Sequence, residues 1–173
     1  MSTPDWKRIS VSTSTLVILI GVAGSGKSTF ANGHFLKTEI LSSDHFRGLV
    51  SDDEANQDAT EDAFAALHFV LAQRLRRGKL SVVDATNVTA MYRAKLLDLA
   101  RLYGRQAVAI VFETPEEICI QRAGARLERV VNAAVIREQR EKLDGQSDED
   151  LLGEGFRTVL RVMPGDRVEI QRM

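Results

Sequence analysis

Eight consecutive residues, GVAGSGKS from Gly21 to Ser28, have the types and spacing to hold a phosphate chain. Gly21 and Gly26 frame a turn, with Gly24 and Ser25 inside it, whose backbone N–H groups can converge on phosphate oxygens. Lys27 brings a positive charge to the β/γ region, Ser28 a hydroxyl for Mg²⁺, and Thr29 follows. By residue frequency this pattern arises by chance in fewer than about one chain in a hundred of this length. A plain glycine turn beside a surface lysine is therefore set aside. The loop does not say whether the phosphate is hydrolysed to throw a switch or handed to an acceptor.

Other clusters bear on that question. In SSDHFRGL, Asp44 closes a short apolar run and Arg47 stands one helical turn later. A carboxylate at the carboxyl end of a parallel strand, the edge that carries the phosphate loop, can take the proton of an attacking hydroxyl. Arg47 can orient that carboxylate or grip an acceptor phosphate. The plainer role for Asp44 is a helix N-cap. In VVDATN, Asp84 ends another apolar run and suits a magnesium site through water or the loop serine. Thr86 and Asn87 then reach an acceptor or serve the turn. In QRAGARLER, Arg122, Arg126 and Arg129 fall at helical spacing on one face. Gly124 interrupts them, so the segment suits a lid that closes guanidinium groups on a γ-phosphate. Arg122 and Arg126 are the stronger candidates. Such stripes are more often solvated surface.

These residues need a frame. Continuous apolar runs TLVILI, EILSS, LSVVD and QAVAIVF predict buried strands at 15–20, 39–43, 80–84 and 106–112. Helices are expected from about 27 to 36, 58 to 77, around 96–103, from 116, and from 132 to 143, with Pro115 opening one and Gly78 and Gly104 stopping others. Phe64, Leu67, His68, Leu71 and Leu75 share one helical face, and His68 reads as a core residue. Ile9 and Val11 alternate with polar residues, as in a short edge strand. Two short strands close the chain. The alternation predicts an α/β fold with a central parallel sheet and helices on both faces. It reads as a single domain over 1–173, with the lid at about 115–145.

Composition agrees. Apolar residues make up 44% of the 173 and charged residues 27%, as in a soluble globular protein. The net charge of -1 excludes a broad, non-specific nucleic-acid surface. Cys119 is the single cysteine, which excludes an internal disulfide. No signal core or membrane-spanning run is present, so a cytoplasmic location without membrane association is expected. The histidines show no metal spacing, the cluster around Arg74 reads as a solvated helix end, and Trp6 as packing.

The runs LVILIGVAGSGKSTFA, ILSSDHFRGLVSDDE, GKLSVVDATNV, PEEICIQRAGAR and EGFR together resemble the kinase domain of bacterial polynucleotide kinase-phosphatases of RNA repair. The likeness extends from about Val11 to the end. It implies a P-loop NTPase-type three-layer α/β/α fold with an arginine-bearing helical lid. It implies transfer of the ATP γ-phosphate to a 5'-hydroxyl end of RNA or DNA, with Mg²⁺. Lys27, Ser28 and Thr29 then belong to the ATP and magnesium site, Asp44 to the general base, Arg47 to the acceptor side, and Arg122 and Arg126 to the lid. Members usually continue into phosphatase and ligase-like domains, which makes such domains expected partners. A guanine-reading N-K-x-D run is absent, which disfavours a GTPase switch. The rival readings are a small-molecule kinase for a sugar, nucleoside or antibiotic, and a non-catalytic ATP-binding module.

Overall fold

The computed structural model describes residues 6–126 and 131–173. Strands β1 (Trp6–Val11), β2 (Leu16–Ile20), β3 (Ile40–Ser42), β4 (Ser81–Asp84), β5 (Ala107–Phe112), β6 (Thr158–Val162) and β7 (Arg167–Arg172) alternate with helices. The helices are α1 (Lys27–His34), α2 (Ser43–Ser51), α3 (Thr60–Arg76), α4 (Ala90–Leu102), α5 (Glu116–Gly124), α6 (Ala133–Leu143) and α7 (Asp148–Glu154). A 3₁₀ turn, Gln57–Ala59, leads into α3.

Five strands form one parallel sheet in the order β3-β4-β2-β5-β6. β2 and β5 are buried along their whole length, which is why they read as unbroken apolar runs. Leu16, Ile18 and Ile20 pack on one face against Ala63, Leu67 and Leu71 of α3 and Leu96 and Ala100 of α4. Val17 and Leu19 point to the other face, against Ala31 of α1 and Phe35. The three-layer α/β/α expectation holds.

Several expectations change. β1 is the short edge strand expected, but it lies outside the central sheet. It pairs in parallel with β7 in a separate two-stranded sheet. Ile9, Val11 and Val168 join the core beside Val17 and Leu19, so their alternation marks a ribbon laid over the sheet rather than a strand within it. β3 stops at Ser42, and Ser43 already begins α2. That helix escapes a periodicity reading because Leu49 and Val50 are exposed and Phe46 is its one large apolar core residue. α7 is short and acidic, and a capping box between Ser147 and Asp150 starts it. The expected core role of His68 fails too. Leu67, Leu71 and Leu75 are buried, while Phe64 and His68, on the flank of the same stripe, are half-buried. Arg74 is not simply solvated: it donates to Ser81 Oγ at 3.0 Å and to the Leu80 carbonyl at 2.7 Å.

Parallel pairing brings the carboxyl ends of β2, β3 and β4 to one edge. Asp84 lies opposite Ser42 on one side and Leu19 on the other. The loop after β2, the start of α2 and the turn after β4 therefore meet.

Candidate active site

The loop after β2 is shaped by its glycines. Gly24 and Gly26 take φ of 79° and 100°, where a side chain is strained. A Cβ on Gly24 would also run into the Cys119 carbonyl of α5. Gly26 caps α1, whose first turn faces the crevice with its N–H groups. Lys27 is buried, and its Nζ donates to the carbonyls of Gly21 and Val22, both at 2.8 Å, and to Ser25 Oγ at 3.3 Å. Those bonds hold the ammonium over the loop.

Ser28 Oγ donates to Asp84 Oδ2 at 2.7 Å, and Asp84 is only 5% exposed. A hydroxyl and a carboxylate in contact at the phosphate edge fit Mg²⁺, which keeps several waters and takes one or two protein oxygens beside the phosphates. Among the described residues no cluster of three or more His, Cys, Asp or Glu exists that could hold a metal by protein ligands alone. This donor set suits a metal brought in with a nucleotide.

Asp44 sits in the first turn of α2, but Ser42 is the cap, accepting from the His45 N–H at 3.5 Å. The plainer N-cap role for Asp44 is therefore not what this helix uses. Arg47 Nη2 donates to Asp44 Oδ1, and Arg47 Nε to the Glu54 carbonyl at 3.0 Å. Asp44 keeps 33% of its side-chain surface exposed while Arg47 is buried. The arginine is anchored and the carboxylate opens outward. Both line a crevice of about 900 Å³ that also includes Lys27, Ser28, Asp84 and Thr86.

Thr86 and Asn87 differ in what they have left to offer. The Thr86 carbonyl accepts from the Gly21 N–H at 2.9 Å, and its half-buried side chain borders the crevice. Asn87, at φ 48°, donates its amide to the Leu19 carbonyl at 2.8 Å and the Ala85 carbonyl at 3.3 Å. Arg93, fully buried, donates to the Asn87 carbonyl at 2.8 Å and twice to Glu154. Turn chemistry uses up the Asn87 amide, and the turn is welded to the phosphate loop.

The segment expected to act as a lid lies against the loop after β2. α5 packs on the loop through Val22, Cys119 and Ala123, with Ile136 of α6. Thr114 Oγ1 donates to the Ser25 carbonyl at 2.8 Å, and the Ala23 N–H donates to Gln139 Oε1 of α6 at 2.9 Å. Arg122 lies in the last turn of α5, near Gly26. Arg126 is not on that helical face, because α5 ends at Gly124 with Ala125 as its cap. Arg126 nonetheless borders both the main crevice and a second one of about 600 Å³. Arg122, Thr29, Phe30 and the Met163–Asp166 loop line that second space. Arg129 lies outside the described residues. Burial pushes the Cys119 thiol up, which fits a packing role.

Sequence reasoning missed the far wall of the main crevice. Phe64 and His68 of α3 and Tyr92 and Lys95 of α4 line it. Burial first, then the charge of Lys95, lowers the His68 pKa and keeps its ring neutral at pH 7. A reading that followed sheet-edge carboxylates had no signal for them. Exposed apolar positions just outside a helix's core stripe were the available clue.

A family model described as AAA domain, AAA_33, matches residues 16–145. The chain belongs to the AAA_33 family. No curated protein matches it significantly. Among solved structures, this AAA_33 domain is similar to a candidate kinase from Chloroflexus aurantiacus, with 19% identity over 87% of this chain and 88% of that one and a TM-score of 0.62. It is also similar to a chain of the Pnkp1/Rnl/Hen1 RNA repair complex, with 24% identity over 77% of this chain and a TM-score of 0.61. There it spans 45% of the other chain's length. A gluconokinase from Sinorhizobium meliloti 1021 matches with 18% identity, over 90% of this chain and 85% of that one, at a TM-score of 0.52. The AAA_33 domain thus has a P-loop kinase fold. No described helix is long and apolar enough to cross a membrane.

Proposed function

We propose that this AAA_33 domain is an ATP-dependent polynucleotide 5'-hydroxyl kinase. The observation that carries the reading is the shared crevice. Asp44, held by buried Arg47, opens into the same space as Lys27 and Ser28. The order of motifs from GVAGSGKS through SSDHFRGLVSDDE and VDATN, similar to the polynucleotide kinase-phosphatase kinases, supports a nucleic-acid end as acceptor.

In this reading the loop N–H groups and Lys27 hold the β- and γ-phosphates, and the ATP base lies in the second crevice beside Phe30 and the Met163–Asp166 loop. Ser28, and Asp84 through water, would hold Mg²⁺, which would draw charge off the phosphate oxygens. Asp44 accepts a hydrogen bond from the incoming 5'-hydroxyl. It takes the proton as the new O–P bond forms and the bond to the β-phosphate oxygen breaks. Arg122 and Arg126 steady the charge on the moving phosphoryl group, a role worth roughly 10³–10⁵ in rate where one arginine supplies it. Thr86 sits on the acceptor side. Asn87 shapes its turn. Phosphatase and ligase-like domains are the partners this reading implies.

One observation favours a second reading. Asp58 and Glu61 line the acceptor half. Carboxylates suit the hydroxyls of an uncharged sugar-like acceptor better than a run of phosphates. Labelled γ-phosphate from ATP, offered to 5'-hydroxyl RNA and DNA beside a neutral sugar, nucleosides and aminoglycosides, separates the two. The account expects label on the oligonucleotides, with only a modest salt dependence given the net charge of -1. Label on a small acceptor alone would overturn it.

A further inference from the structure

The far wall of the main crevice holds aromatic rings that the phosphoryl-transfer chemistry leaves unused. Phe64 of α3 and Tyr92 of α4 are stacked, with centroids 6.3 Å apart and planes 9° from parallel. Phe64 also meets His68, at 6.0 Å and 49°. The core does not explain Tyr92: Leu96 and Ala100 supply the packing of α4, while Tyr92 remains 51% exposed. A half-exposed ring, backed by a second ring and bordering a polar crevice, offers a π-face to a flat ligand.

Charge narrows the ligand. Among the described residues of this wall, Asp58 and Glu61 are acidic, Lys95 is basic and His68 is neutral at pH 7. The wall carries no surplus of positive charge and cannot track a string of phosphates. Ring stacking is the recognition it is equipped for.

We infer that Tyr92, backed by Phe64, is a stacking platform for the nucleobase of the acceptor's 5'-terminal nucleotide. This rests on the reading of the site as a polynucleotide 5'-hydroxyl kinase and adds where the substrate is read. The terminal base lies on the ring, its 5'-hydroxyl reaches Asp44, and the strand leaves the crevice after one nucleotide.

The test compares 5'-hydroxyl oligonucleotides that have a normal terminal nucleotide, an abasic terminal nucleotide, or an abasic residue at the second position. A single base–aromatic stack predicts a loss of about tenfold in kcat/KM for the abasic end, chiefly in KM, and almost none for the second position. Tyr92→Ala loses the same factor on the normal substrate and nothing further on the abasic one, while Tyr92→Phe restores discrimination. Unchanged ATP affinity in both variants shows that the fold is intact. A Tyr92→Trp variant reads stacking without turnover: the normal end quenches its emission and the abasic end does not. Equal transfer to normal and abasic ends, or discrimination that survives in Tyr92→Ala, overturns the platform. Quenching without transfer keeps the platform and refutes the kinase reading. Neither quenching nor transfer refutes both.

Discussion

On the proposed reading the main crevice has a donor half and an acceptor half, and the two are built in opposite ways. The donor half comes from one run of sequence, Gly21 to Ser28, joined by Asp84, and its polar groups are bonded to one another. Lys27 holds loop carbonyls, Ser28 holds Asp84, and the Gly21 N–H holds Thr86. The acceptor half is assembled from α2, the 3₁₀ turn, α3 and α4, and apart from buried Arg47 the charged and aromatic side chains that line it are partly or fully exposed. Holding a triphosphate is the same task whatever the acceptor, and backbone N–H groups on a rigid turn perform it. Reading an acceptor depends on surface side chains from separate helices, which can change while the sheet edge stays as it is.

The comparison predicts that damage to the donor half falls on all acceptors alike. The largest effect is expected from removing the lid charges. The double variant Arg122→Ala, Arg126→Ala should lower the transfer rate by roughly 10³ or more for every acceptor, since the proposed function puts both groups at the nucleotide. Acceptor-dependent losses would place one of them in the other half. Changes at Tyr92 should do the reverse, altering the choice of acceptor while leaving ATP binding untouched.

The smallest effect belongs outside both halves. Arg172 of β7 donates to both Glu39 oxygens at 2.8 Å, tying the outer ribbon to the start of β3. The guanidinium, helped by the Leu36 N–H, holds the Glu39 carboxyl below its ordinary value of 4.5. The pair therefore stabilises the fold fully above about pH 4.5, and the contribution is lost as pH falls through the lowered native value. Glu39→Gln should cost on the order of 1–2 kcal/mol at pH 7 and flatten the acid limb of a thermal-stability profile, with transfer rates unchanged at temperatures where the fold persists. A pH profile identical to that of the unaltered protein would show that the ribbon is held by its apolar contacts alone.

The sequence exposes the donor half because phosphate binding demands residue types that nothing else demands together. The glycines, Lys27, Ser28 and the carboxylate ending β4 all stand where their run predicted. The middle of the sheet is legible for a similar reason: β2 and β5, buried along their whole length, carry no polar residue. α2 is not, because its start depends on Ser42 capping rather than on periodicity. The acceptor wall is not legible either, because Phe64 and His68 sit at core spacing and only the packing of α4 decides which side of the stripe stays open. Arg126 shows the same limit. Its spacing promised a helical face, but the helix ends before reaching it.

The most direct test of the central claim is single-turnover transfer by Asp44→Asn, which keeps the shape of the side chain beside Arg47. The account predicts that transfer from bound ATP to a 5'-hydroxyl oligonucleotide slows by about 10²–10⁴ while ATP affinity is unchanged. Transfer at the rate of the unaltered protein, with ATP bound equally well, would contradict it.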